Sequence, residues 1–396
     1  MTKISILFVD DEPSVLHALQ RSMRDMRSEW TTRFVSSGAA ALEELSKSSA
    51  DVIVADIRMP GMDGWELLGE VKKGYPQMVR LILSGYTDPC SIMRTVGIAH
   101  QYLAKPCESA ALKAAILQTH SLRHLLSDDR LAQLVGRVDL LPSAPTAFQE
   151  ILTCLQASTA SLADAARIIG RDLAMTANVI KLVNSAFFGS RQPITSANRA
   201  VAYLGLDTLG ALVLGHNAFK SGVTTGIAGF SLERLWQHSL DTAVVARTIA
   251  LFEHQSAAMA ENAFLAGMLH DVGKVVYATR AVAADAPAAS IEAATVQMDA
   301  HHAEVGAYLL GLWGFPNSIV EAVAFHHSPS FASGEGLSLP RLVHIADRLV
   351  HQREVGDAGL AAAGLEPALL EKLGLAARWP EWVIALGQLD TVKSAA

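Results

Sequence analysis

The segment Ile4-Ser5-Ile6-Leu7-Phe8-Val9-Asp10-Asp11-Glu12-Pro13 begins with an apolar run, continues into acidic residues and reaches a proline. The run Ile4–Val9 is short and rich in residues that favour strands, which predicts a buried β-strand. Pro13 is typical of the first turn of a helix, so a helix is expected to follow directly. A buried strand followed by a helix indicates one βα unit of a parallel sheet.

The same alternation continues to about residue 125. After Ile4–Val9, the predicted strands are Thr31–Val35, Val52–Ala55, Val79–Leu83 and Gln101–Leu103. The amphipathic segments between and after them are Pro13–Met26, Ala39–Leu45, Trp65–Lys73, Cys90–Gly97 and a segment from Ser109 to about Leu126. The expected fold is α/β, a doubly wound five-stranded parallel sheet. Ligands of such sheets bind at the carboxyl ends of the strands.

Chemically distinctive residues stand at the ends of these strands. Asp10 and Asp11 follow the first strand, and Asp56 follows the third. Ser84 ends the fourth strand, and Lys105 follows the fifth. These side chains should meet at one edge of the sheet, where facing carboxylates repel unless a hard cation such as Mg²⁺ bridges them. A carboxylate, a divalent cation and a lysine in one pocket predict a site for phosphorylation of aspartate.

Three blocks of the first 125 residues carry a resemblance to a known family. They are Phe8-Val9-Asp10-Asp11-Glu12-Pro13, Asp56-Ile57-Arg58-Met59-Pro60-Gly61-Met62-Asp63-Gly64 and Tyr102-Leu103-Ala104-Lys105-Pro106. With them, residues 1–125 resemble the receiver domain of two-component response regulators, which has a flavodoxin-like fold. The resemblance implies Mg²⁺ at Asp10, Asp11 and Asp56, phosphorylation of Asp56, and a sensor histidine kinase as the partner.

The resemblance also implies a switch around the phosphoacceptor. Ser84 would be the switch hydroxyl, and Lys105 would contact the phosphoryl group. Tyr102 would be the aromatic residue that turns inward on activation, and the peptide bond before Pro106 would be cis.

Beyond residue 126 the strand patterns stop and helical periodicity continues. Residues 109–134 are expected to form a connecting helix region, and residues 328–396 a C-terminal helical extension. Residues 134–327 resemble the HDOD domain, an output domain of bacterial signalling proteins that is related in fold to HD-type phosphohydrolases. The blocks that carry this resemblance are Leu140-Leu141-Pro142-Ser143-Ala144-Pro145, Arg171-Asp172-Leu173-Ala174-Met175-Thr176, Val183-Asn184-Ser185-Ala186-Phe187-Phe188-Gly189, Ala200-Val201-Ala202-Tyr203-Leu204-Gly205, Leu235-Trp236-Gln237-His238-Ser239, Ala266-Gly267-Met268-Leu269-His270-Asp271-Val272-Gly273-Lys274 and Trp313-Gly314-Phe315-Pro316.

The helical part contains histidines and aspartates in the order H…HD…H…H…D that the HD enzymes have. These residues are His238, His270, Asp271, His302, His326 or His327, and Asp347. Imidazoles and bridging carboxylates suit Fe, Mn, Zn or Ni, and Lys274 lies one helical turn after His270, where it could contact phosphate. The histidines His254, His301, His344 and His351 are expected on helix surfaces or loops.

Two interpretations of this histidine pattern remain open. HDOD domains are usually described as non-catalytic, and Ser328–Gly334 lacks the Gly-Tyr-Pro signature of cyclic-di-GMP phosphodiesterases. The first interpretation is therefore a non-catalytic scaffold that controls a downstream protein. The second is a metal-dependent phosphohydrolase that acts on a nucleotide or a cyclic dinucleotide.

Composition and charge narrow the classes of partner and location. The chain of 396 residues is 51% hydrophobic and 18% charged, with a formal net charge of -7. Because it has neither a basic face nor a helix-turn-helix motif, direct DNA binding is not expected. No apolar stretch is long enough for a membrane span or a signal peptide, and three cysteines without CxxC spacing fit a reducing cytoplasm. The C-terminal helices are expected to cap the output domain or to form a homodimer.

Overall fold

The computed structural model describes most of both predicted domains. The described residues are 3–85, 98–123, 126, 129–138, 140–143, 145–157, 160–185, 193–215, 230–280, 288–331, 336–355, 370–371 and 373–382. The predicted helix Cys90–Gly97 lies outside them, as do residues 332–335, 356–369, 372 and 383–396 of the predicted C-terminal extension.

The N-terminal domain contains the expected five-stranded parallel sheet. Its strands are β1 (Ile4–Val9), β2 (Trp30–Val35), β3 (Val52–Ala55), β4 (Val79–Ser84) and β5 (Gln101–Ala104). All pairs are parallel and the order is β2-β1-β3-β4-β5, which is the doubly wound topology with a switch point between β1 and β3. Val9 pairs with Ala55 and Ser84 with Ala104, so the residues that follow these strands are neighbours.

Helices cover both faces of this sheet. They are α1 (Pro13–Ser22), α2 (Gly38–Lys47), α3 (Gly64–Gly74) and α4 (Ser109–Arg123). Along β1, Ile6 and Phe8 belong to one hydrophobic cluster, whereas Leu7 and Val9 belong to a second cluster. Because alternate residues of a strand point to opposite faces, this division shows that both faces are buried. The predicted fold class is confirmed.

Helices form the remainder of the described chain. They are α5 (Asp129–Gly136), α6 (Pro145–Gln156), α7 (Leu162–Ile169), α8 (Leu173–Val183), α9 (Ala197–Gly215), α10 (Leu232–Phe252), α11 (Ala257–Leu269), α12 (Val272–Arg280), α13 (Ala288–Leu312), α14 (Asn317–Phe325) and α15 (Leu339–Val355). Helix α9 is interrupted at Gly205, whose φ of 75° lies in the left-handed region that favours glycine. No helix among the described residues is long and apolar enough to cross a membrane.

The connecting region differs from the single helix expected over residues 109–134. Helices α4 and α5 are separate, and Leu126 between them is not helical. Arg123, at the end of α4, donates a hydrogen bond to Asp129 in the first turn of α5, at 2.8 Å. An acidic side chain favours a helix start, so α5 begins as a new helix at that point.

The two domains are packed against each other. Leu112 and Ile116 of α4 belong to the same hydrophobic cluster as Leu131 and Val135 of α5 and the core of the helical domain. The buried Arg80 on β4 donates to the carbonyl of Gly136 at 2.8 Å. Further hydrogen bonds join Gln101 to the carbonyl of Gly311 (3.2 Å) and Gln118 to the carbonyl of Phe315 (3.0 Å). The β4–β5–α4 side of the sheet therefore faces the helical domain.

Candidate functional site

The carboxyl ends of β1, β3 and β5 bring Asp10, Asp56 and Lys105 together. Lys105 Nζ donates to Asp10 Oδ2 at 2.6 Å and to Asp56 Oδ1 at 2.7 Å. The other carboxylate oxygens accept backbone N–H groups, Asp10 Oδ1 from Glu12 (3.0 Å) and Asp56 Oδ2 from Arg58 (2.8 Å). Both carboxylates are thus fixed at one edge of the sheet, with a cation between them.

The charges at this edge fit a site for a divalent cation. Burial disfavours the charged form of Lys105, but hydrogen bonds and charge attraction from Asp10 and Asp56 outweigh it and raise the pKa of the ammonium. Asp11, the third predicted ligand, follows Asp10 and is half-buried. Oxygen donors from carboxylates are what Mg²⁺ prefers, so the residues present fit that ion.

Helix α3 approaches the phosphoacceptor candidate closely. Its first residue is Gly64, whose N–H donates to the carbonyl of Ile57 at 2.8 Å. A Cβ atom at Gly64 would collide with the backbone carbonyl of Asp56, so only glycine fits there. Asp63 caps the helix in a capping box with Glu66, which fixes the turn that follows Asp56.

The predicted switch residues lie on β4 and on β5, the strand that Lys105 follows. Ser84 is the last residue of β4 and is paired with Ala104, which precedes Lys105. Tyr102 packs against the second hydrophobic cluster, and burial raises the pKa of its hydroxyl well above the usual value. The peptide bond between Lys105 and Pro106 is cis, as expected.

A second cluster of titratable residues lies inside the helical domain. Asp271, between α11 and α12, is buried at its centre, with each carboxylate oxygen facing a different set of histidines. Oδ1 lies 3.2 Å from His302 Nε2 and 3.9 Å from His326 Nε2. Oδ2 lies 3.4 Å from His270 Nε2 and 4.0 Å from His238 Nε2. A carboxylate in this position can bridge two metal ions.

Asp347 of α15 faces the second of these sets, His238 and His270. Its Oδ1 lies 3.1 Å from His238 Nε2 and 3.7 Å from His270 Nε2. On the other side of Asp271, His302 Nε2 and His327 Nε2 are 2.9 Å apart. Two imidazole nitrogens on one ion, each at about 2.1 Å, are separated by about 3 Å when they are adjacent in its coordination shell. Both sets therefore have spacings that suit metal binding.

Backbone carbonyls orient the histidine rings of this cluster. His270 Nδ1 lies 2.7 Å from the carbonyl of Gly267, His302 Nδ1 2.9 Å from that of Met298, and His326 Nδ1 2.7 Å from that of Val323. A carbonyl can only accept, so Nδ1 carries a proton, and in the neutral form of each ring Nε2 presents its lone pair to the cluster. Histidine ligands of metals commonly have this arrangement.

Burial and charge set the protonation states that metal ligands need. Burial and the neighbouring His270 and His327 hold the pKa of His326 well below its usual value. Burial opposes ionisation of Asp271 and Asp347, but the surrounding histidines, together with Lys274 beside Asp271, outweigh it and hold both carboxyl pKa values well below the usual range. His270 is the exception, because Asp271 and Asp347 overcome its burial and raise its pKa. Its Nε2 and that of His326 are buried without a hydrogen-bond partner in the described part of the chain.

Comparison with known protein families assigns both domains. The model of the response regulator receiver domain matches residues 6–117, and the model of the HDOD domain matches residues 141–329. The chain carries a response regulator receiver domain followed by an HDOD domain.

Relatives of the two domains differ in what they cover. An uncharacterized protein from Treponema pallidum is 27% identical over 228 residues, which are 55% of this chain and 44% of that protein. The hydrogenase transcriptional regulatory protein HoxA from Cupriavidus necator is 39% identical over 104 residues, 26% of this chain and 21% of that protein. The chain thus spans less than half the length of these curated relatives. The crystal structure of the MmoQ response regulator from Methylococcus capsulatus matches 62% of this chain and 98% of its own, with 22% identity and a TM-score of 0.47.

The helical domain brings together every residue of the predicted H…HD…H…H…D set and adds two histidines, with Asp347 and both added histidines on α15, beyond the residues that the HDOD model matches. His344, expected on a surface or loop, is buried, and its Nδ1 lies 2.6 Å from the carbonyl of His326. His351 lies 3.0 Å from Asp347 Oδ1. It follows Asp347 by one helical turn, and this spacing is the sequence signal that could have identified it. His301 instead faces Glu304, outside the cluster, at 3.4 Å.

Lys274 and Arg348 supply positive charge around the cluster. Lys274 Nζ donates to Asp271 Oδ2 at 2.6 Å. Arg348 follows Asp347, and its Nη2 lies 3.2 Å from His327 Nδ1. Helices α12 and α13 can approach closely because Gly273 has no side chain. A Cβ atom at this position would collide with the carbonyl of His302. The HDOD domain therefore combines a ligand set with cations that could attract a phosphate.

Proposed function

We propose that this protein is a two-component response regulator that acts in the cytoplasm and is phosphorylated on Asp56 by a sensor histidine kinase. The observation that carries the proposal is the group formed by Asp56, Asp10 and Lys105 at the sheet edge. An Asp56 oxygen attacks the phosphorus of the donor, the bond from phosphorus to the donor breaks, and the donor leaves with its electron pair. Asp10, Asp11 and Asp56 would hold Mg²⁺, which when bound would supply positive charge to neutralise the phosphoryl oxygens.

The proposed switch uses residues beside the new phosphoryl group. A phosphoryl group adds about -1.5 to -2 charges in other phosphorylated residues, and it would draw Lys105 and Ser84 toward it. Tyr102 lies on β5, next to Gln101, which contacts the HDOD domain. Phosphorylation would therefore alter the contact between the domains, and the HDOD domain would pass the change to a downstream protein.

Labelling with a small phosphodonor tests the phosphoacceptor. With Mg²⁺ and acetyl phosphate, the wild-type protein should gain one hydroxylamine-labile phosphoryl group, and Asp56→Asn should gain none. Asp25→Asn is the matched control, because Asp25 also pairs with a lysine (Lys113, 2.6 Å) but is exposed and lies away from the strand ends. Equal labelling of Asp56→Asn and wild type would refute the assignment.

A second function, a metal-dependent phosphohydrolase, is supported by the assembled histidine cluster. Its substrate would be a nucleotide or a cyclic dinucleotide, and Fe, Mn, Zn or Ni would be the metal. A bound metal pair supplies an activated water for attack on phosphorus. The side chains of His238, His270, Asp271, Asp347 and the group His302, His326 and His327 would hold it. Lys274 would bind a phosphate oxygen, and Arg348 would attract the anion.

Metal analysis followed by an activity assay separates the two interpretations of the HDOD domain. Protein purified without chelator should hold about two transition-metal ions and hydrolyse bis(p-nitrophenyl) phosphate if it is a phosphohydrolase. Asp271→Asn should lose both properties, whereas Asp299→Asn, an exposed carboxylate on the same helix as His302, should keep them. If the wild-type protein holds no metal and lacks this activity, the phosphohydrolase is excluded and the non-catalytic scaffold remains as the interpretation of the HDOD domain.

A further inference from the structure

His351 lies at the solvent end of the histidine cluster and is not part of the H…HD…H…H…D set. It follows Asp347 by four residues on α15, and its side chain is 44% exposed. Its Nδ1 lies 3.0 Å from Asp347 Oδ1, and its ring centroid lies 4.6 Å from that of His238. His351 thus reaches the carboxylate that the inner histidines also face.

The ring of His351 shares one contact with the inner histidines but presents a different nitrogen to the carboxylate, since its Nδ1 faces both Asp347 Oδ1 and a backbone carbonyl. Its Nδ1 lies 3.0 Å from the backbone carbonyl of Asp347, one turn earlier on the helix. His302 makes the equivalent contact with Met298. One candidate ligand atom from each of His238, Asp347 and His351 lies within 4.8 Å of the others.

We propose that His351 is a metal ligand and that, with His238 and Asp347, it forms an outer position for a transition-metal ion. This inference rests on the metal-binding function proposed above. Two imidazoles and one carboxylate suit Zn²⁺, Co²⁺ or Ni²⁺ and leave room in the coordination shell for water or a phosphate oxygen.

Two features of the neighbouring carboxylates favour this outer position. Asp347 is 1% exposed, and its Oδ2 accepts no hydrogen bond from any described residue, the nearest cation being Arg348 Nε at 3.8 Å. An ion between His238 and His351 would lie beside Asp347 Oδ1, the oxygen that both histidines face, while Oδ2 of the same carboxylate has no hydrogen-bond donor among the described residues. At the inner position, which also uses His238, the Lys274 ammonium by contrast already neutralises Asp271 Oδ2, at 2.6 Å.

Cobalt titration of the full-length protein tests the role of His351. Wild-type protein should bind Co²⁺ in two steps, and the visible spectrum should report each step. His351→Gln should weaken one step by about 100-fold or more, since even the partners of ligands are typically worth about 10–100-fold in affinity. The other step, at His302, His326 and His327, should not change. His351→Cys, which offers a different metal ligand, should restore the weakened step.

The controls separate this inference from the function on which it rests. His301→Gln removes a histidine on the same helix as His302 that faces away from the cluster, and it should bind as wild type does. If folded His351→Gln keeps both affinities, or if His351→Cys binds no better than His351→Gln, His351 is not a ligand. If wild-type protein binds no Co²⁺, the metal-binding function itself fails.

Discussion

Lys105 joins the two buried carboxylates that a divalent cation would also bridge. Its ammonium competes with that cation, whereas Asp11 contributes negative charge that attracts it. We expect Asp11→Asn to lower the Mg²⁺ affinity by about ten-fold, or about 1.4 kcal/mol. Lys105→Ala should not lower it. Calorimetric titration with Mg²⁺ measures both, with Asp25→Asn as the control, and an equal loss of affinity in the two variants would contradict this division of roles.

The burial of His100 leads us to expect that the stability of the protein depends on pH. It is buried against β4, where the N–H of Arg80 donates to its Nδ1 at 3.1 Å. Burial, followed by the charges of Arg80, Lys181 and Lys72, holds its pKa well below the usual value. The unfolded chain therefore binds a proton that the folded chain does not, and stability present above about pH 6.5 is lost as the pH falls toward the folded pKa.

Replacement of His100 should remove this part of the acid sensitivity. As the pH falls from about 7.5 to about 5, the free energy of unfolding of wild type should decrease by up to about 1.4 kcal/mol per pH unit more than that of His100→Gln does. Urea unfolding at each pH measures the free energy of unfolding of the two proteins. Their difference isolates the contribution of His100, because the other histidines contribute equally to both. A difference that stays constant with pH would show that His100 titrates alike in the folded and unfolded chain.

At the scale of single residues, sequence patterns predicted the groups that stand at fixed places in an element. Asp10, Asp56 and Lys105 follow strands of one parallel sheet, so their convergence follows from topology. His100 and Arg80 gave no such signal, because their contact depends on the register of β4 against β5, in which the N–H of His100 donates to the carbonyl of Arg80 at 2.8 Å. The sequence order of the HD set predicted its members, but not that His344 would be buried behind them.

At the scale of elements, helix α13 runs from the histidine cluster to the surface of the receiver. It carries His302, and its end contacts the receiver through Gly311. At about 1.5 Å per residue these two points are about 14 Å apart along one helix. Because Gly273 packs directly against the carbonyl of His302, a small displacement of α13 changes the distance from His302 to Asp271.

We therefore expect the phosphorylation state and metal binding to influence each other through α13. Beryllofluoride, which mimics a phosphoryl group on Asp56, should change the Co²⁺ affinity by about five-fold or more, and Co²⁺ should change beryllofluoride affinity by the same factor. The double variant Gln101→Ala/Gln118→Ala removes two hydrogen bonds between the domains and should reduce that factor toward one. Gln149→Ala, on an exposed face of α6, is the control. Equal Co²⁺ affinities with and without beryllofluoride would exclude this coupling.

The elements themselves show what local patterns can predict. The first and third strands begin and end where expected, because each is an apolar run ended by an aspartate. The break between α4 and α5 falls inside the connecting helix expected over residues 109–134, since the periodicity of apolar residues continues across it, although an acidic helix start at Asp128-Asp129 is visible in the sequence. The hydrogen bond from Arg123 to Asp129 spans the break, a contact that helical periodicity does not reveal.

At the scale of the whole molecule, the receiver uses its β4–β5–α4 side to hold the HDOD domain. The contact combines a shared hydrophobic cluster with hydrogen bonds from Arg80, Gln101 and Gln118. Phosphorylation of Asp56 would act on the same strands, since Lys105 directly follows β5. The contact is therefore expected to differ between the two phosphorylation states while each domain keeps its own core.

Solution scattering with and without beryllofluoride measures this difference directly. A ligand changes a two-state equilibrium only through its different affinity for the states, so we expect a shift in population toward a more open arrangement or a different oligomer. Asp56→Asn should not respond, and circular dichroism should show that helix content is unchanged. If scattering curves are identical while beryllofluoride binding at Asp56 is verified, the signal does not pass between the domains. A partner that binds the receiver surface would then have to recognise the phosphorylated state.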